Sequence, residues 1–181
     1  MKRLITTLAF AGLFACSAFA QDTTSTGLFP QAWEGVWSGT LEIFSPKGKQ
    51  QQLPMELRIL PQDSCHTWTI VYDGSPRAYL LKPLKPRLGL YQIDEQNGIA
   101  MEAVYIAGKL YSRFEVMGNM LLSTAEVTTD ESGQPVMAYE IISGSLEPLS
   151  VTGGGMVDGE EMPEVKGYPV VVRQIAQLRR Q

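Results

Sequence analysis

From Gly35 onward, short segments rich in β-branched and aromatic residues recur about every ten residues, separated by turn residues. Residues 51–60 are the clearest of them, because apolar and polar side chains alternate strictly along the segment. Such alternation is typical of a strand with one buried face. Turn signals such as Asn97-Gly98 join neighbouring segments, and Asn-Gly readily adopts the positive φ angles of a tight hairpin. The pattern predicts about ten strands, joined mostly by hairpins.

A run of consecutive hairpins builds an antiparallel meander, and a long meander tends to close so that no strand edge stays unpaired. We therefore predict an all-β fold, with one domain over residues 35–181 forming a single antiparallel up-and-down barrel of about eight to ten strands. An open two-sheet β-sandwich is the alternative. Residues 146–167 interrupt the rhythm with a long Gly-rich and acidic connection, whose composition favours disorder over a lid. Helical periodicity is confined to residues 28–34 and the C-terminal end.

The N-terminus has the three-part layout of a secretory signal peptide. Lys2 and Arg3 precede an apolar run over residues 4–14 that is too short to span a bilayer, and Ala18-Phe19-Ala20 supplies the small residues of a cleavage site. We predict a signal peptide at residues 1–20, cleavage after Ala20, and a periplasmic or secreted protein. A polar leader and a plug turn then occupy residues 21–34. The alternative is a lipoprotein anchored through Cys16, because the four residues ending in Cys16 are similar to a lipoprotein cleavage box.

Composition narrows the classes of partner and cofactor. The chain has a formal net charge of −4 and no basic cluster, which argues against nucleic acid or an anionic membrane surface as partner. No stretch after the signal is apolar and long enough to cross a membrane. Once Cys16 leaves with the signal, Cys65 has no partner in the chain and is either a buried, inert thiol or a reactive one. One Cys and one His are too few for a structural zinc site, so we expect neither a metal nor a cofactor.

The opening Gly35-Val36-Trp37 of the first strand resembles that of the calycin barrels, the lipocalins and fatty-acid-binding proteins. In those families the Trp fills the closed end of the barrel, and a basic residue from the last strand packs over it. The resemblance implies this closing role for Trp37, with Arg173 as the basic residue. The rest of the chain resembles a family of exported bacterial proteins to which no activity is attached.

The longer string over residues 35–39 is also similar to the opening of haem-binding barrels related to nitrobindin. Those barrels carry an axial His late in the chain, whereas the only His of this chain is His66, near the third strand. Haem is therefore not expected.

Alternation along the strands, counted from Trp37, selects the side chains that face the barrel interior. On the strand over residues 120–127 it selects Met120 and Leu122. The candidates for lining a ligand cavity are Trp68, Tyr72, Arg77, Tyr79, Tyr91, Met101, Tyr105 and Phe114. These residues predict a non-catalytic protein that binds one small apolar or amphipathic ligand inside the barrel. A filled core of the same residues, in a periplasmic or surface interaction module, is the alternative.

Two further groups of residues suggest chemistry. Arg77, Tyr79 and Tyr91, with Arg113 or Glu115, could clamp a ligand carboxylate near a barrel mouth, since Arg binds carboxylates by paired hydrogen bonds. Strand tyrosines beside a surface arginine are the alternative interpretation. Cys65-His66 is the one pair similar to a nucleophile and its base. Adjacent residues of an extended chain point to opposite sides, however, so we do not expect an enzyme that uses Cys65.

Overall fold

The computed structural model describes residues 29–181, so the predicted signal peptide and the lipoprotein alternative at Cys16 lie outside the described residues. Two 3-10 turns are present, at Gln31–Trp33 and Pro86–Leu88. The strands are β1 (Gly35–Ser45), β2 (Gly48–Ile59), β3 (Pro61–Gln62), β4 (Cys65–Tyr72), β5 (Ser75–Lys85), β6 (Leu90–Asp94), β7 (Ala100–Ile106), β8 (Lys109–Val116), β9 (Asn119–Thr129), β10 (Pro135–Ser145), β11 (Ser150–Thr152), β12 (Met156–Val157), β13 (Glu160–Glu161), β14 (Val165–Gly167) and β15 (Val170–Arg180).

Ten long strands form a closed antiparallel up-and-down barrel. Neighbours in the sheet follow chain order from β4 to β10, β15 then joins β10 to β1, and β1 continues to β2. The ring closes where residues 55–58 of β2 pair with residues 69–72 of β4. The predicted barrel is therefore confirmed, and the open sandwich is excluded by the β2–β4 pairing. The architecture is consistent with a calycin-like barrel.

The barrel has one sealed end and one open end. At the sealed end most inward side chains are buried; those with no exposed area are Trp37, Leu57, Ile59, Leu81, Met137 and Leu178. We call this the closed end. The opposite end, which we call the mouth, carries the β1–β2, β4–β5 and β8–β9 turns and the long connection between β10 and β15.

The segment before β1 plugs the closed end. Trp33, in the first 3-10 turn, is 4% exposed, and its carbonyl accepts a hydrogen bond of 2.9 Å from Nε1 of Trp37. The Phe29 ring stacks on Tyr105 at a centroid distance of 4.3 Å, and the Tyr91 hydroxyl donates to the Phe29 carbonyl at 3.2 Å. These contacts bury aromatic surface at the one place where a barrel without a plug would expose it to water.

Two expectations about strand faces and ends are corrected. On β9, Leu121 lies opposite the inward Phe114, so Met120 and Leu122 face outward rather than inward. Three consecutive apolar residues carry no information about which parity is buried, and a slip of one residue reverses every face. At the C-terminus, β15 continues as a strand to Arg180, where helical character was expected.

The long connection between β10 and β15 is ordered as a ribbon, which corrects the expectation of disorder. Residues 146–169, which we call the arm, contain two short strand pairs in succession: β11 with β14, and β12 with β13. Left-handed backbone at Gly153 and Gly154, with φ of 77° and 73°, lets the chain turn from the first pair into the second. The arm leaves the barrel at its mouth, where the Leu146 amide donates to the Gly118 carbonyl at 3.3 Å.

Candidate functional site

Inward side chains at the mouth are only half-buried, in contrast to those of the closed end. We call this set of inward, half-buried side chains the mouth cup; it consists of Ile43, Leu53, Tyr72, Tyr79, Met101, Phe114 and Ile141. The indole of Trp68 lies on the same inner face, because Trp68 pairs directly with Tyr79, but it is more buried, at 3% exposure. Apolar and aromatic surface on the inner face of the barrel is therefore partly exposed at the mouth.

A polar cluster occupies one wall of the mouth cup. Arg77 lies opposite the inward-facing Ile70, and its guanidinium carbon is 5.5 Å from the centre of the Tyr72 ring. The Tyr139 hydroxyl, on the facing strand β10, hydrogen-bonds with Tyr72 and with Ser123. The cluster thus brings a fixed positive charge and several hydroxyl groups together beside an apolar surface.

Burial shifts the pKa values of both tyrosines in this cluster. It raises the pKa of Tyr139 well above the ordinary value of a tyrosine. It also raises the pKa of Tyr72, although a hydrogen bond with Tyr139 and the charge of Arg77 act in the opposite direction. The Tyr139 hydroxyl donates to Tyr72, whereas Tyr72 accepts this bond and keeps its own O–H, which can donate to an anion.

The structure divides the predicted cavity residues between the two ends of the barrel. Tyr72, Arg77, Tyr79, Met101 and Phe114 lie together at the mouth, with Trp68 below them. Tyr91 and Tyr105 instead lie at the closed end, where both contact Phe29 of the plug. The prediction that Tyr91 belongs to the carboxylate clamp is therefore wrong. Arg113 and Glu115 do not belong to the clamp either, since they face outward opposite Leu122 and Met120.

The closing arginine is Arg180 and not Arg173, so that expectation is wrong. The Arg180 guanidinium lies 4.5 Å from the Trp37 ring centre and donates to the Ala32 carbonyl at 2.9 Å. Arg173 pairs with Phe44 near the mouth, and its guanidinium contacts Glu140 at 2.6 Å on the outer surface. The role implied by the calycin resemblance is present, at a position seven residues later than expected.

Cys65 and His66 do not form a nucleophile–base pair. The His66 side chain is buried, and its Nε2 lies 3.0 Å from Oε1 of Glu34 in the plug segment. The half-buried Cys65 thiol donates to the Gln62 carbonyl at 3.2 Å. The imidazole therefore ties the plug to β4, and the thiol is engaged with its own turn.

Two cavities lie outside the mouth cup. One of about 300 Å³ lies beside the plug, with Phe29, Pro30, His66, Pro83 and Tyr91 among its walls. The other, of about 640 Å³, crosses the outer faces of β1, β15, β10 and β9. Its cations already face carboxylates, as in the pairs Lys109–Glu126 and Arg179–Asp130, which leaves the mouth cup as the better candidate for binding.

Sequence reasoning missed part of the mouth cup. Tyr139 and Ser123 belong to its polar wall, and Leu53 and Ile141 to its apolar lining. Alternation along β10 could have found Tyr139, because it lies two residues from the buried Met137. Ser123 gives no such signal, since a small polar residue in a strand is equally at home on the outer face.

Comparison with protein-family models, with curated proteins and with solved structures finds no match for this chain. None of the helical turns within residues 29–181 has the length or apolar character of a membrane-crossing segment.

Proposed function

We propose that the barrel is a non-catalytic binding protein for a small amphipathic molecule that carries an anionic group. The observation that carries this proposal is Arg77, an inward-facing cation at the rim of an apolar, half-buried cup. The ligand enters at the mouth and stops above Trp68, because most inward side chains of the closed end are buried.

The apolar part of the ligand contacts the mouth cup itself. Met101, Phe114 and Ile141 offer apolar surface that is neither fully packed nor fully exposed. Covering such surface stabilises a complex by roughly 25 cal/mol per Å² removed from water. Aromatic and aliphatic walls with a few polar groups are the usual composition of small-molecule sites.

The anionic part of the ligand meets the polar wall. The Arg77 guanidinium can donate two parallel hydrogen bonds to a carboxylate. The Tyr72 hydroxyl, beside Arg77, is a further donor. This arrangement favours an anion over a neutral or cationic head group on the same apolar chain.

The test uses three ligands with one chain length: decanoate, 1-decanol and decylamine. We expect decanoate to bind most tightly in isothermal titration calorimetry, and Arg77→Gln to weaken decanoate binding by about 10–100-fold. The same substitution should leave 1-decanol binding almost unchanged. Arg113→Gln, on the outer face of β8, is the matched control and should not alter any of the three affinities. Equal binding of all three ligands, or an equal loss in both variants, would reject the proposed site.

We also propose that the protein works in the periplasm or outside the cell. The basic start, the short apolar run and Ala18-Phe19-Ala20 support this location. Mass spectrometry of the protein after expression with its full N-terminus should give a chain that begins at Gln21. A chain that begins at a lipid-modified Cys16 would replace the soluble form with the lipoprotein, and an unprocessed chain in the cytosol would reject export.

A further inference from the structure

The arm carries a concentration of exposed apolar side chains. Among the described residues, sixteen large hydrophobic side chains are exposed, and six of them lie in the arm. Leu149 is 80% exposed and Met156 67%, and the others are Val151, Val157, Val165 and Tyr168. On the first strand pair, Val151 lies opposite Lys166 and Val165 lies opposite Thr152, so both faces of the ribbon carry an exposed valine. Exposed apolar side chains concentrated in one segment are typical of interaction sites.

The backbone of the arm is also only partly paired. β11 pairs with β14 alone, and neither strand joins the barrel sheet. Each of the two strands therefore has an outer edge whose N–H and C=O groups point away from the ribbon. A two-stranded ribbon is marginally stable by itself, and a third strand would stabilise it.

Charge distinguishes among the molecules that could cover this ribbon. The arm contains five carboxylates, Glu147, Asp158, Glu160, Glu161 and Glu164, against one lysine, Lys166. A second copy of the chain would bring an equally acidic arm, and an anionic bilayer surface would be repelled in the same way. A cationic partner is favoured, since opposite charge on two surfaces speeds their encounter and selects the partner.

We propose that the arm is a docking site for an extended segment of a partner protein, in which apolar side chains alternate with Lys or Arg. The segment adds to a free edge of the β11–β14 ribbon as a third strand. Main-chain hydrogen bonds provide affinity in such strand addition, and the alternating side chains provide specificity. This inference is independent of the ligand proposed for the mouth cup.

Fluorescence anisotropy with a labelled ten-residue peptide of alternating Lys and Leu tests the proposal. We expect this peptide to bind at least tenfold more tightly than an alternating Glu and Leu peptide or an alternating Lys and Ser peptide. An N-methylated form of the Lys and Leu peptide should also lose at least tenfold, because it cannot complete the main-chain hydrogen bonds. Binding should weaken as salt is raised.

Two arm variants locate the site on the protein. The apolar variant combines Leu149→Ser, Val151→Ser and Val165→Ser, and the charge variant combines Asp158→Asn, Glu160→Gln and Glu161→Gln. Each should weaken peptide binding at least tenfold while keeping the urea midpoint and the decanoate affinity of the parent. The matched control combines Leu84→Ser, Leu88→Ser and Tyr111→Ser, which are exposed on the barrel body, and it should bind the peptide as the parent does.

Several results would overturn the docking proposal. If the Lys and Ser peptide binds as tightly as the Lys and Leu peptide, charge alone attracts the peptide to the protein. Unchanged binding by the apolar variant, or an equal loss in the control, would place the peptide elsewhere. A dimer in light scattering that the apolar variant abolishes would show that a second copy covers the arm. Arm-dependent binding to phosphatidylglycerol vesicles would assign the surface to a membrane.

Discussion

Replacing Trp37 by Ala is expected to lower the free energy of unfolding by about 3–5 kcal/mol, the range for removing a large aromatic side chain from a core. Trp37 has no exposed area and lies between β2 and β15, opposite Leu57 and Arg180. Its Nε1 donates to the Trp33 carbonyl at 2.9 Å, so the substitution also leaves that buried carbonyl without its partner. Urea denaturation followed by far-UV circular dichroism measures the change.

Tyr111→Ala is the matched control for this substitution. Tyr111 is also an aromatic residue in the middle of a barrel strand, but it faces outward and is 36% exposed. We expect its loss to cost less than about 1 kcal/mol, as is usual for surface positions. If Trp37→Ala unfolds the protein outright, Trp37→Phe keeps most of the apolar volume and should give a measurable midpoint below that of the parent. Equal midpoints for Trp37→Ala and Tyr111→Ala would contradict the closed-end role of Trp37.

The number and order of strands could be predicted from the sequence because the relevant physics is local. Turn residues such as Asn97-Gly98 and Asp73-Gly74 separate the strands, and the hairpins that form at these turns leave few possible topologies. Gly74 and Gly98 do adopt positive φ angles, of 76° and 96°. Closure then follows from the tendency of a long meander to pair its edges.

Faces and ends of strands were less predictable where the alternation fails. Residues 170–172 are three consecutive valines, so alternation does not show which face of the sheet Arg173 occupies. The strand also continues to Arg180, beyond the apolar residues from which it was predicted. Which basic residue contacts Trp37 is thus determined by the register of β15 against β1, and the sequence alone does not reveal that register.

The level of a residue along the barrel axis is a second quantity that alternation cannot supply. Tyr79 and Tyr91 both face inward, yet one lies at the mouth and the other at the plug. Their separation depends on the register of β5 against β6, in which Pro83, four residues after Tyr79, lies opposite Tyr91. This is why the sequence identified five residues of the mouth cup and grouped them with two residues of the closed end.

Replacing Arg180 by Ala is expected to lower the free energy of unfolding by about 1–3 kcal/mol, although the residue lies next to the C-terminus. Its guanidinium contributes a cation–π contact with Trp37, worth roughly 0.5–2 kcal/mol, and a charge-assisted hydrogen bond to the Ala32 carbonyl. Together these contacts join the last strand, the first strand and the plug. Arg180→Lys keeps the charge but loses the planar fork, so its stability should lie between those of Arg180→Ala and the parent.

Arg173→Ala separates this closing role from a general effect of removing charge from β15. Arg173 contacts Glu140 at 2.6 Å, but its side chain is 57% exposed, and an ion pair of that kind contributes only about 0–1 kcal/mol. Urea midpoints should therefore fall clearly for Arg180→Ala and hardly at all for Arg173→Ala. The reverse order would restore Arg173 as the closing residue and contradict the register of β15 against β1. The urea midpoint of Arg180→Ala can also be compared in a Trp37→Phe background. If the substitution no longer lowers the midpoint there, the contact with the indole, rather than the bond to the Ala32 carbonyl, carries most of the effect, because coupled contacts are not additive.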